Sequence, residues 1–500
     1  MESSNTLHLR GVKMNLSKSR YCEAIQCNKM LWLDINYPNL KMNVDNSSTL
    51  DTGTEVGILA KDLFGQHVDI EFDKNLQSMV DKTKEVLERE KKVIVTEASF
   101  LYKNNFCSVD ILIKNNDKYE IYEVKSSTEV KDIYIDDISY QTYVLKQLGL
   151  NVVKSSLVYL NHFYERHGEL NLKKLFVIED VTNKVLEKQD EVEDKIKEIN
   201  SYMKKTEVND DIGLQCVKPY DCPFFEYCTR NLEKPNLFTI KGMRYNKKIS
   251  FYKNGIYTYK DLLKEDIDEK SREQIEFELY DKKDKINKDK IREFLKTLSY
   301  PLYFLDFETF QQSIPMYDNI RTNEKIPFQY SLHYIETEFG KLKHKEFLAE
   351  TGVDPRRSLA ERLVEDIPLN VCTLAYNMGF EKSVIKNLAT LYPDLEHHLM
   401  NIHDNIKDLM IPFLNRDYYS KEMYGSYSIK YVSPALFPDD QSLNYHNLED
   451  VHNGGEAMDT FKNLEKLSKE EQEKLRQSLL KYCELDTYSM VKIYEKLKKI

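Results

Sequence analysis

Two adjoining stretches, FCSVDILIK (residues 106–114) and YEIYEVKSS (residues 119–127), decide the fold of the first half of the chain. Both are rich in apolar residues, and an Asn-Asn-Asp turn lies between them, which predicts a β-hairpin. Alternation puts Glu123 and Lys125 on one face of the second strand, and the hairpin can bring Asp110 beside them. Two carboxylates and an ammonium group are the equipment of metal-assisted phosphodiester hydrolysis. A salt bridge on a solvated sheet face is the alternative.

The sequence around this hairpin has an α/β pattern. Residues 93–100 (VIVTEASF) predict a strand before it, residues 132–149 predict a helix after it, and residues 151–161 (NVVKSSLVYLN) predict a further strand. Residues 18–90 are predicted to be helical, and so is the segment 179–211, which carries eleven acids and six lysines. The first half is therefore predicted to be an α/β domain.

Three of the eight cysteines, Cys216, Cys222 and Cys228, fall within 13 residues in CVKPYDCPFFEYC. The N-terminal sequence lacks the apolar core of a secretory signal, so we expect a cytoplasmic protein whose cysteines are thiols or metal ligands. Three unligated cysteines beside an aromatic loop are the alternative to a metal site.

The order of these residues resembles a known family. An aspartate on one strand (Asp110), Glu-x-Lys on the next, and then a helix with Gln141 and Tyr143 resemble the PD-(D/E)XK nuclease superfamily. The pattern is most similar to the RecB-like exonucleases that carry an iron–sulfur cluster, including CRISPR-associated ones. The resemblance implies that Asp110 and Glu123 bind Mg²⁺ or Mn²⁺ and that Lys125 and Gln141 take part in catalysis.

The same resemblance implies one ligand cysteine near the N-terminus and three after the nuclease core: Cys27, Cys216, Cys222 and Cys228. Cys22 is the alternative to Cys27, which the context QCNKMLWL favours. Four thiolates can hold a [4Fe–4S] cluster or a tetrahedral Zn²⁺. The five-residue spacings differ from those of zinc knuckles and favour a structural iron–sulfur cluster. The family often has a metal-site histidine one helical turn after a glycine; here the nearest histidine is His67.

A second acidic set begins with LYFLDFETF (residues 302–310), an apolar strand with Asp306 and Glu308 on one face. Carboxylates in so apolar a strand are costly unless they bind something. Glu381, with Asn377 before it, lies where a strand gives way to a helix. Tyr482 and Asp486 lie one helical turn apart. Each of these alone is typical of an ordinary solvated or structural position.

Together these motifs resemble the DEDD (DnaQ-like) 3′–5′ exonucleases of RNase H-like fold, and best their tyrosine variant. The resemblance implies two Mg²⁺ ions held by four carboxylates, with Tyr482 orienting the nucleophile: Asp306, Glu308, Glu381 and Asp486. Glu381 departs from the family, which normally has Asp there. Asp408, in IKDLMIPF, is a candidate auxiliary acid.

The 500 residues carry 72 Lys and Arg against 83 Asp and Glu, a net charge of −11. This excess argues against a protein that coats nucleic acid through bulk positive charge. Residues 241–260 nevertheless hold six basic residues, five aromatic ones and no acid. Such a strip can bind phosphates and stack on bases, with a solvated basic linker as the alternative. NGIYTYKDLL within it is faintly similar to a helix-hairpin-helix unit.

We therefore predict an α/β protein of three parts: a RecB-like domain (1–235), a helical connector (236–299) and an RNase H-like domain (300–500). The expected function is metal-dependent hydrolysis of nucleic acid, DNA rather than RNA, by an exonuclease of repair or defence. An RNA exonuclease is one alternative. The other is a nucleic-acid-binding component of a defence or repair complex, with protein partners and one or both sites inactive. No stretch is long and apolar enough for a membrane span.

Overall fold

Helices and strands alternate along the chain, and the predicted α/β class is confirmed. The computed structural model describes residues 15–42 and 47–500. These residues form two units, which differ in sheet order and are described separately. Among the described residues, no helix has both the length and the apolar character needed to cross a membrane.

The first unit comprises the described residues up to Asn231 together with Ser313–Thr322. Its strands are β1 (Leu16–Ser17), β2 (Val68–Asp69), β3 (Lys92–Tyr102), β4 (Asn105–Asn115), β5 (Lys118–Lys125), β6 (Asn151–Leu160) and β7 (Phe176–Asp180). Its helices are α1 (Lys18–Gln26), α2 (Asn28–Asn36), α3 (Ser47–Leu63), α4 (Leu76–Arg89), α5 (Asp132–Gln147), α6 (Leu172–Leu175), α7 (Thr182–Glu187), α8 (Gln189–Tyr202) and α9 (Phe225–Thr229). The predicted acidic stretch 179–211 thus contains the end of β7 and two helices.

The strands of this unit, as far as it is described, form one sheet in the order β2-β3-β4-β5-β6-β7, with β1 beside β4. The pairs β3–β4 and β4–β5 are antiparallel, whereas β5–β6 is parallel and is connected through α5. Helices cover both faces: α1, α4, α5 and α8 share one apolar core with the sheet, and α3 and α6 share another. The β4–β5 pairing ends at Ile111 opposite Tyr122, so Asp110 and Glu123 lie where the two strands separate.

The second unit comprises Leu232–Gln312 and Asn323–Ile500. Its strands are β8 (Lys285–Ile286), β9 (Leu302–Gln311), β10 (Lys325–Ile335), β11 (Lys343–Leu348), β12 (Cys372–Ala375), β13 (Ile406–Asp408) and β14 (Tyr418–Tyr419). Its helices are α10 (Tyr245–Lys253), α11 (Tyr259–Leu262), α12 (Glu269–Tyr280), α13 (Lys288–Leu295), α14 (Arg356–Asp366), α15 (Gly379–Leu391), α16 (Glu396–Asp404), α17 (Ile411–Leu414), α18 (Ile429–Leu436), α19 (Gly454–Asn463) and α20 (Lys469–Lys498).

The main sheet of this unit has five strands in the order β11-β10-β9-β12-β13 within the described residues. The first three are antiparallel, and β12 and β13 run parallel to β9. Helices α14, α15 and α16 pack on one face, and α18 and α20 pack on the other. Helix α20 is 30 residues long and begins with a capping box between Ser468 and Glu471.

The segment 236–299, predicted as a connector, lies within the second unit. It contains α10 to α13 and has an apolar core that includes Leu237, Leu262 and Ile275. The three predicted domain boundaries stay predictions.

Candidate metal centres

The hairpin of the first unit gathers the predicted carboxylates around an amine that the sequence interpretation had missed. Lys18, at the start of α1, places Nζ 3.0 Å from Asp110 Oδ1 and 2.9 Å from Glu123 Oε1. The other oxygen of Asp110, Oδ2, accepts the backbone N–H of Val124 at 2.7 Å. Asp110 therefore substitutes for a backbone acceptor where β4 and β5 separate, and this fixes its carboxylate beside Glu123.

Lys125 and Gln141 also join this group, as the sequence predicted, and they do so through Asp137 of α5. Lys125 Nζ lies 2.8 Å from Glu123 Oε1 and 2.6 Å from Asp137 Oδ2. Gln141 Nε2 donates to Glu123 Oε2 at 2.7 Å and to Asp137 Oδ1 at 3.0 Å. Three carboxylates thus face two lysines, and Gln141 holds two of the carboxylates in place.

Electrostatics explains how these charges can be buried together. Burial works to lower the pKa of Lys18, but the charges of Asp110, Glu123 and Asp137 raise it well above its ordinary value. Burial, followed by the charge of Glu123, raises the pKa of Asp137 although both lysines oppose this rise. Both amines therefore stay protonated and act as internal counterions.

Three further residues of interest belong to the same unit. His67 Nδ1 lies 2.8 Å from the carbonyl oxygen of Gly65, in the loop between α3 and β2. Burial, followed by the charge of Glu193, raises the pKa of Tyr143. Cys22, by contrast, feels the charges of Asp137, Lys125 and Glu123, and burial raises its pKa beyond the ordinary range of thiols. Cys22 therefore belongs to the carboxylate–lysine group and not to the other cysteines.

The four predicted cluster ligands meet in the first unit. A small cavity with about 10 Å³ of accessible volume is lined by all four: Cys27, Cys216, Cys222 and Cys228. All four are free thiols in the structure. The N–H of Cys222 donates to the carbonyl oxygen of Cys216 at 2.9 Å, which folds the CVKPYDC loop around the cavity. Cys27 comes from the junction of α1 and α2, so the cavity joins two segments almost 190 residues apart in sequence.

Backbone N–H groups act on two of these sulfurs. Cys27 precedes α2, and the N–H groups of Lys29 and Met30 work to lower its pKa, as the N–H of Phe224 does for Cys222. Burial raises the pKa of Cys27 and brings that of Cys222 to about 12. The N–H groups oppose this rise, and a bound cation would complete the stabilisation of the thiolates.

The second unit collects four carboxylates from three elements: Asp306 and Glu308 of β9, Glu381 of α15 and Asp486 of α20. Oxygens of Asp306 and Glu308 and the sulfur of Cys483 lie within 4.8 Å of one another. Asp306 and Glu308 share a face because they are two residues apart in a strand, and α20 packs over that face. The four carboxylates are largely buried, with Glu381 only 2% exposed.

These carboxylates raise one another's pKa because no basic side chain among the described residues forms an ion pair with them. Burial, followed by the neighbouring carboxylates, raises the pKa of Asp306 well above its usual range. Burial and Asp486 raise the pKa of Glu308 to about 8. Burial likewise raises the pKa of Glu381 to about 8 and that of Asp486 to about 6. The group therefore holds protons at neutral pH unless cations replace them.

Two tyrosines and one lysine border this group. Tyr445, in the loop before α19, donates to Asp486 Oδ1 at 2.6 Å. Burial, followed by the charges of Asp486, Glu308 and Asp306, raises the pKa of Tyr482 far above its ordinary value, so its hydroxyl keeps its proton. Lys430 lies over the rings of Tyr445 and Tyr482, 5.4 and 5.6 Å from their centroids.

Glu381 owes its position to Asp408. Asp408 accepts the backbone N–H groups of Asn377 and Met378 at 3.0 and 3.2 Å, and so anchors the turn that starts α15. Asn377 adopts a left-handed conformation (φ 70°) in this turn. Glu381 Oε2 is buried and has no hydrogen-bond partner within the described residues. Asp408 thus acts on the site through α15, and the free oxygen of Glu381 is available to a ligand.

The basic strip 241–260 is only partly accessible. Lys248 is buried and donates to the carbonyl oxygens of Phe238 and Ile240 at 3.0 and 2.6 Å, and burial lowers its pKa to about 8. Tyr259 is likewise buried. Other basic residues of the strip, including Lys241 and Arg244, are exposed. Lys248 and Tyr259 thus contribute to the core and not to a binding surface.

The residues that sequence reasoning missed differ in whether a local pattern could have indicated them. Lys18 is 92 residues from Asp110, and no local pattern links them. Asp137 carried a usable signal, because it is an acid four residues, and so about one helical turn, before Gln141 in α5. Tyr445 lies in a short 3-10 helix whose position next to Asp486 no sequence pattern indicates. Cys483 follows Tyr482 in α20, and residue spacing alone does not show that its thiol faces Asp306.

One comparison with known families bears on this second site. Residues 303–428 match a domain of unknown function, DUF2779. The matched range contains Asp306, Glu308 and Glu381 and ends before Asp486. No curated protein matches the chain.

Proposed function

We propose that the protein is a metal-dependent nuclease with two hydrolytic sites, one in each unit. The proposal rests mainly on the four buried carboxylates of the second unit, for which the described residues supply no matching set of positive side chains. Carboxylates so placed are the usual ligands of Mg²⁺ and Mn²⁺. Paired divalent ions supply, when bound, an activated water and stabilisation of the leaving oxygen.

In the second unit, Asp306, Glu308, Glu381 and Asp486 would hold the ions. Tyr445 positions Asp486 through its hydrogen bond, and Asp408 positions Glu381 through the start of α15. Because Tyr482 keeps its proton, it acts as a hydrogen-bond donor that orients the attacking water and not as a base. The order of three antiparallel strands followed by two parallel ones supports an RNase H-like fold and a DnaQ-like exonuclease.

In the first unit, Asp110 and Glu123 would bind a divalent ion, and Lys125 would stabilise the developing negative charge. Gln141 positions the carboxylate of Glu123 through a hydrogen bond, and Asp137 positions the ammonium group of Lys125 beside it. The central β4–β5 hairpin, the parallel β6 and the crossover helix α5 support a RecB-like PD-(D/E)XK domain.

The four cysteines fit a [4Fe–4S] cluster with a structural role. Tetrahedral zinc, at Zn–S distances of about 2.3 Å, holds its four sulfurs about 4 Å apart. The four cysteines are all described residues, and no three of their sulfurs lie within 4.8 Å of one another. Their spacing is therefore wider than a single zinc ion requires. We place Zn²⁺ second.

We propose DNA as the substrate in repair or defence, with RNA as the alternative. The exposed basic residues of the strip 241–260, beside the aromatic ring of Tyr257, would bind the phosphate backbone and stack on bases. The proposed location is the cytoplasm.

A second candidate function is nucleic-acid binding without cleavage by the first unit, in a complex with protein partners. It is favoured by the position of Lys18, whose ammonium lies between the two carboxylates that would hold the ion. A catalytic first unit requires this lysine to move aside when the metal binds.

The test is a nuclease assay of the wild type, Asp110→Ala and Asp306→Ala with Mg²⁺ or Mn²⁺. Each protein is offered single-stranded DNA, double-stranded DNA and RNA of one sequence, labelled at either end. We expect each substitution to abolish one component of the cleavage pattern. A wild type that binds but cuts none of these substrates would favour the second candidate.

A further inference from the structure

A set of metal-ligating side chains in the second unit is separate from the four carboxylates. His333 of β10 and His344 of β11 are paired across the two strands, and their rings lie 4.4 Å apart. One ligand atom each of His333, His344 and Glu484 of α20 lies within 4.8 Å of the others. The sequence interpretation did not single out any of these three residues.

The hydrogen bonds behind the two rings determine where their protons lie. The hydroxyl of Thr487 contacts the carbonyl oxygen of Glu484 (3.1 Å), Ser331 Oγ (2.7 Å) and His333 Nδ1 (2.8 Å). Ser331 Oγ also lies 2.9 Å from His344 Nε2. Each hydroxyl has one proton to donate, so only one arrangement satisfies all four hydrogen bonds.

In that arrangement Thr487 donates to the carbonyl of Glu484, and Ser331 donates to Thr487. His344 then donates through Nε2 to Ser331, and His333 donates through Nδ1 to Thr487. The nitrogens that remain, His333 Nε2 and His344 Nδ1, both carry lone pairs. An imidazole that donates one N–H to a fixed oxygen and offers its other nitrogen is the usual state of a metal ligand.

The charge around the two rings also favours a cation. Glu346, two residues after His344 on β11, places a second carboxylate on the same face of the strand. Neither Glu346 nor Glu484 has an ion-pair partner in the described part of the chain. Two imidazoles and two carboxylates thus lie in one region, and no basic side chain of the described residues pairs with either carboxylate.

We propose that His333, His344 and Glu484 form a binding site for a single transition-metal ion, best suited to Zn²⁺. Two imidazoles and one carboxylate are a common zinc ligand set that leaves a position for water or a further ligand. The ligands come from β10, β11 and α20, so the bound ion would tie the helix that carries Asp486 to the edge of the sheet. The proposal does not depend on nuclease activity.

The experiment compares Zn²⁺ binding by the full-length protein with its cysteine site loaded, using dialysis and elemental analysis followed by calorimetric titration. The variants are Glu484→Gln, on the exposed end of the site, and His344→Gln, which is half-buried. The matched control is His397→Gln, an exposed histidine of α16 in the same unit. The four carboxylates are intact in every protein, so zinc bound there cancels in the comparison.

We expect wild type and His397→Gln to bind one more equivalent of Zn²⁺ than the other two variants, or to bind it at least tenfold more tightly. Zn²⁺ should also raise the melting temperature of wild type more than that of Glu484→Gln. If His344→Gln does not fold, Glu484→Gln alone decides the outcome. Equal zinc content and equal affinity in all of the folded proteins would overturn the proposal.

Discussion

Replacing Glu308 by glutamine should stabilise the metal-free second unit at alkaline pH. In the folded protein Glu308 is buried beside Asp486, and its pKa rises from an ordinary 4.5 to about 8. The folded state therefore binds a proton between these values that the unfolded chain has released. The contribution of Glu308 to the free energy of unfolding is therefore fully present below pH 4.5 and is lost as the pH rises towards 8. Glutamine has no proton to lose, so the variant lacks this fall.

The size of the effect follows from the pKa difference. Each pH unit between folded and unfolded pKa values corresponds to about 1.4 kcal/mol, which gives about 5 kcal/mol for a group raised from 4.5 to about 8. Part of the pKa shift of Glu308 comes from repulsion by Asp486 and Glu381. A proton on either neighbour removes some of this repulsion, so we expect Glu308→Gln to raise the free energy of unfolding by about 2–5 kcal/mol at pH 8. At pH 5 the gain should be close to zero. For a unit of this size the gain corresponds to about 5–15 °C in melting temperature.

Thermal unfolding followed by circular dichroism, between pH 5 and 8.5 in EDTA, measures this gain. Trp32 is the single tryptophan of the chain and lies in the first unit. Its fluorescence should therefore show the same transition in wild type and in Glu308→Gln. Glu495→Gln, at an exposed position of α20, is the matched control and should behave as wild type.

Divalent metal should reverse the order of stability. Saturating Mg²⁺ or Mn²⁺ binds only the folded state and stabilises wild type more than a variant that lacks one ligand. If the melting temperatures of wild type and Glu308→Gln depend equally on pH in EDTA, Glu308 does not hold a proton with a raised pKa in the folded protein. Equal stabilisation of the two proteins by metal would refute the role of Glu308 as a ligand.

Two other predictions concern the first unit. Lys18→Met removes the ammonium between Asp110 and Glu123, so Mn²⁺ should bind there about tenfold or more tightly by titration; unchanged affinity would mean that Lys18 does not compete with the ion. After anaerobic purification, Cys222→Ser should lose iron and its visible absorbance, because it lacks one cluster ligand. Cys22→Ser, the control, should keep both. Equal iron content in the two variants would contradict the ligand assignment.

Local patterns predicted the elements that carry the sites. Strand alternation placed Glu123 and Lys125 on one face, and helical spacing placed Tyr482 above Asp486, because both relations depend only on the geometry of one element. The structure brings each of these pairs into its carboxylate group. The charged sequence of segment 236–299 conceals a small apolar core of its own, while Phe277 and Ile291 of the same segment belong to the core that packs on the sheet of the second unit.

Contacts between distant elements were not predictable in this way. Lys18 meets Asp110 only because α1 begins beside β4, and Tyr445 reaches Asp486 from a one-turn 3-10 helix before α19. In the basic strip 241–260, by contrast, the sequence suggests a surface charge that the fold buries. Lys248 adds to the positive charge of the sequence, but its amine is used inside the fold by two carbonyl oxygens. Composition counts charges without showing which of them face solvent.

The most direct test of a metal-dependent nuclease is the release of nucleotides from labelled DNA by wild type and by the double variant Asp110→Ala/Asp306→Ala. Both proteins are assayed with Mn²⁺ and with EDTA, after circular dichroism has shown that both are folded. We predict release by wild type with Mn²⁺ and a loss of at least a hundredfold both in the double variant and in EDTA, given the usual effect of removing metal ligands. Metal-dependent release that persists at the wild-type rate in the double variant would contradict the assignment of both sites.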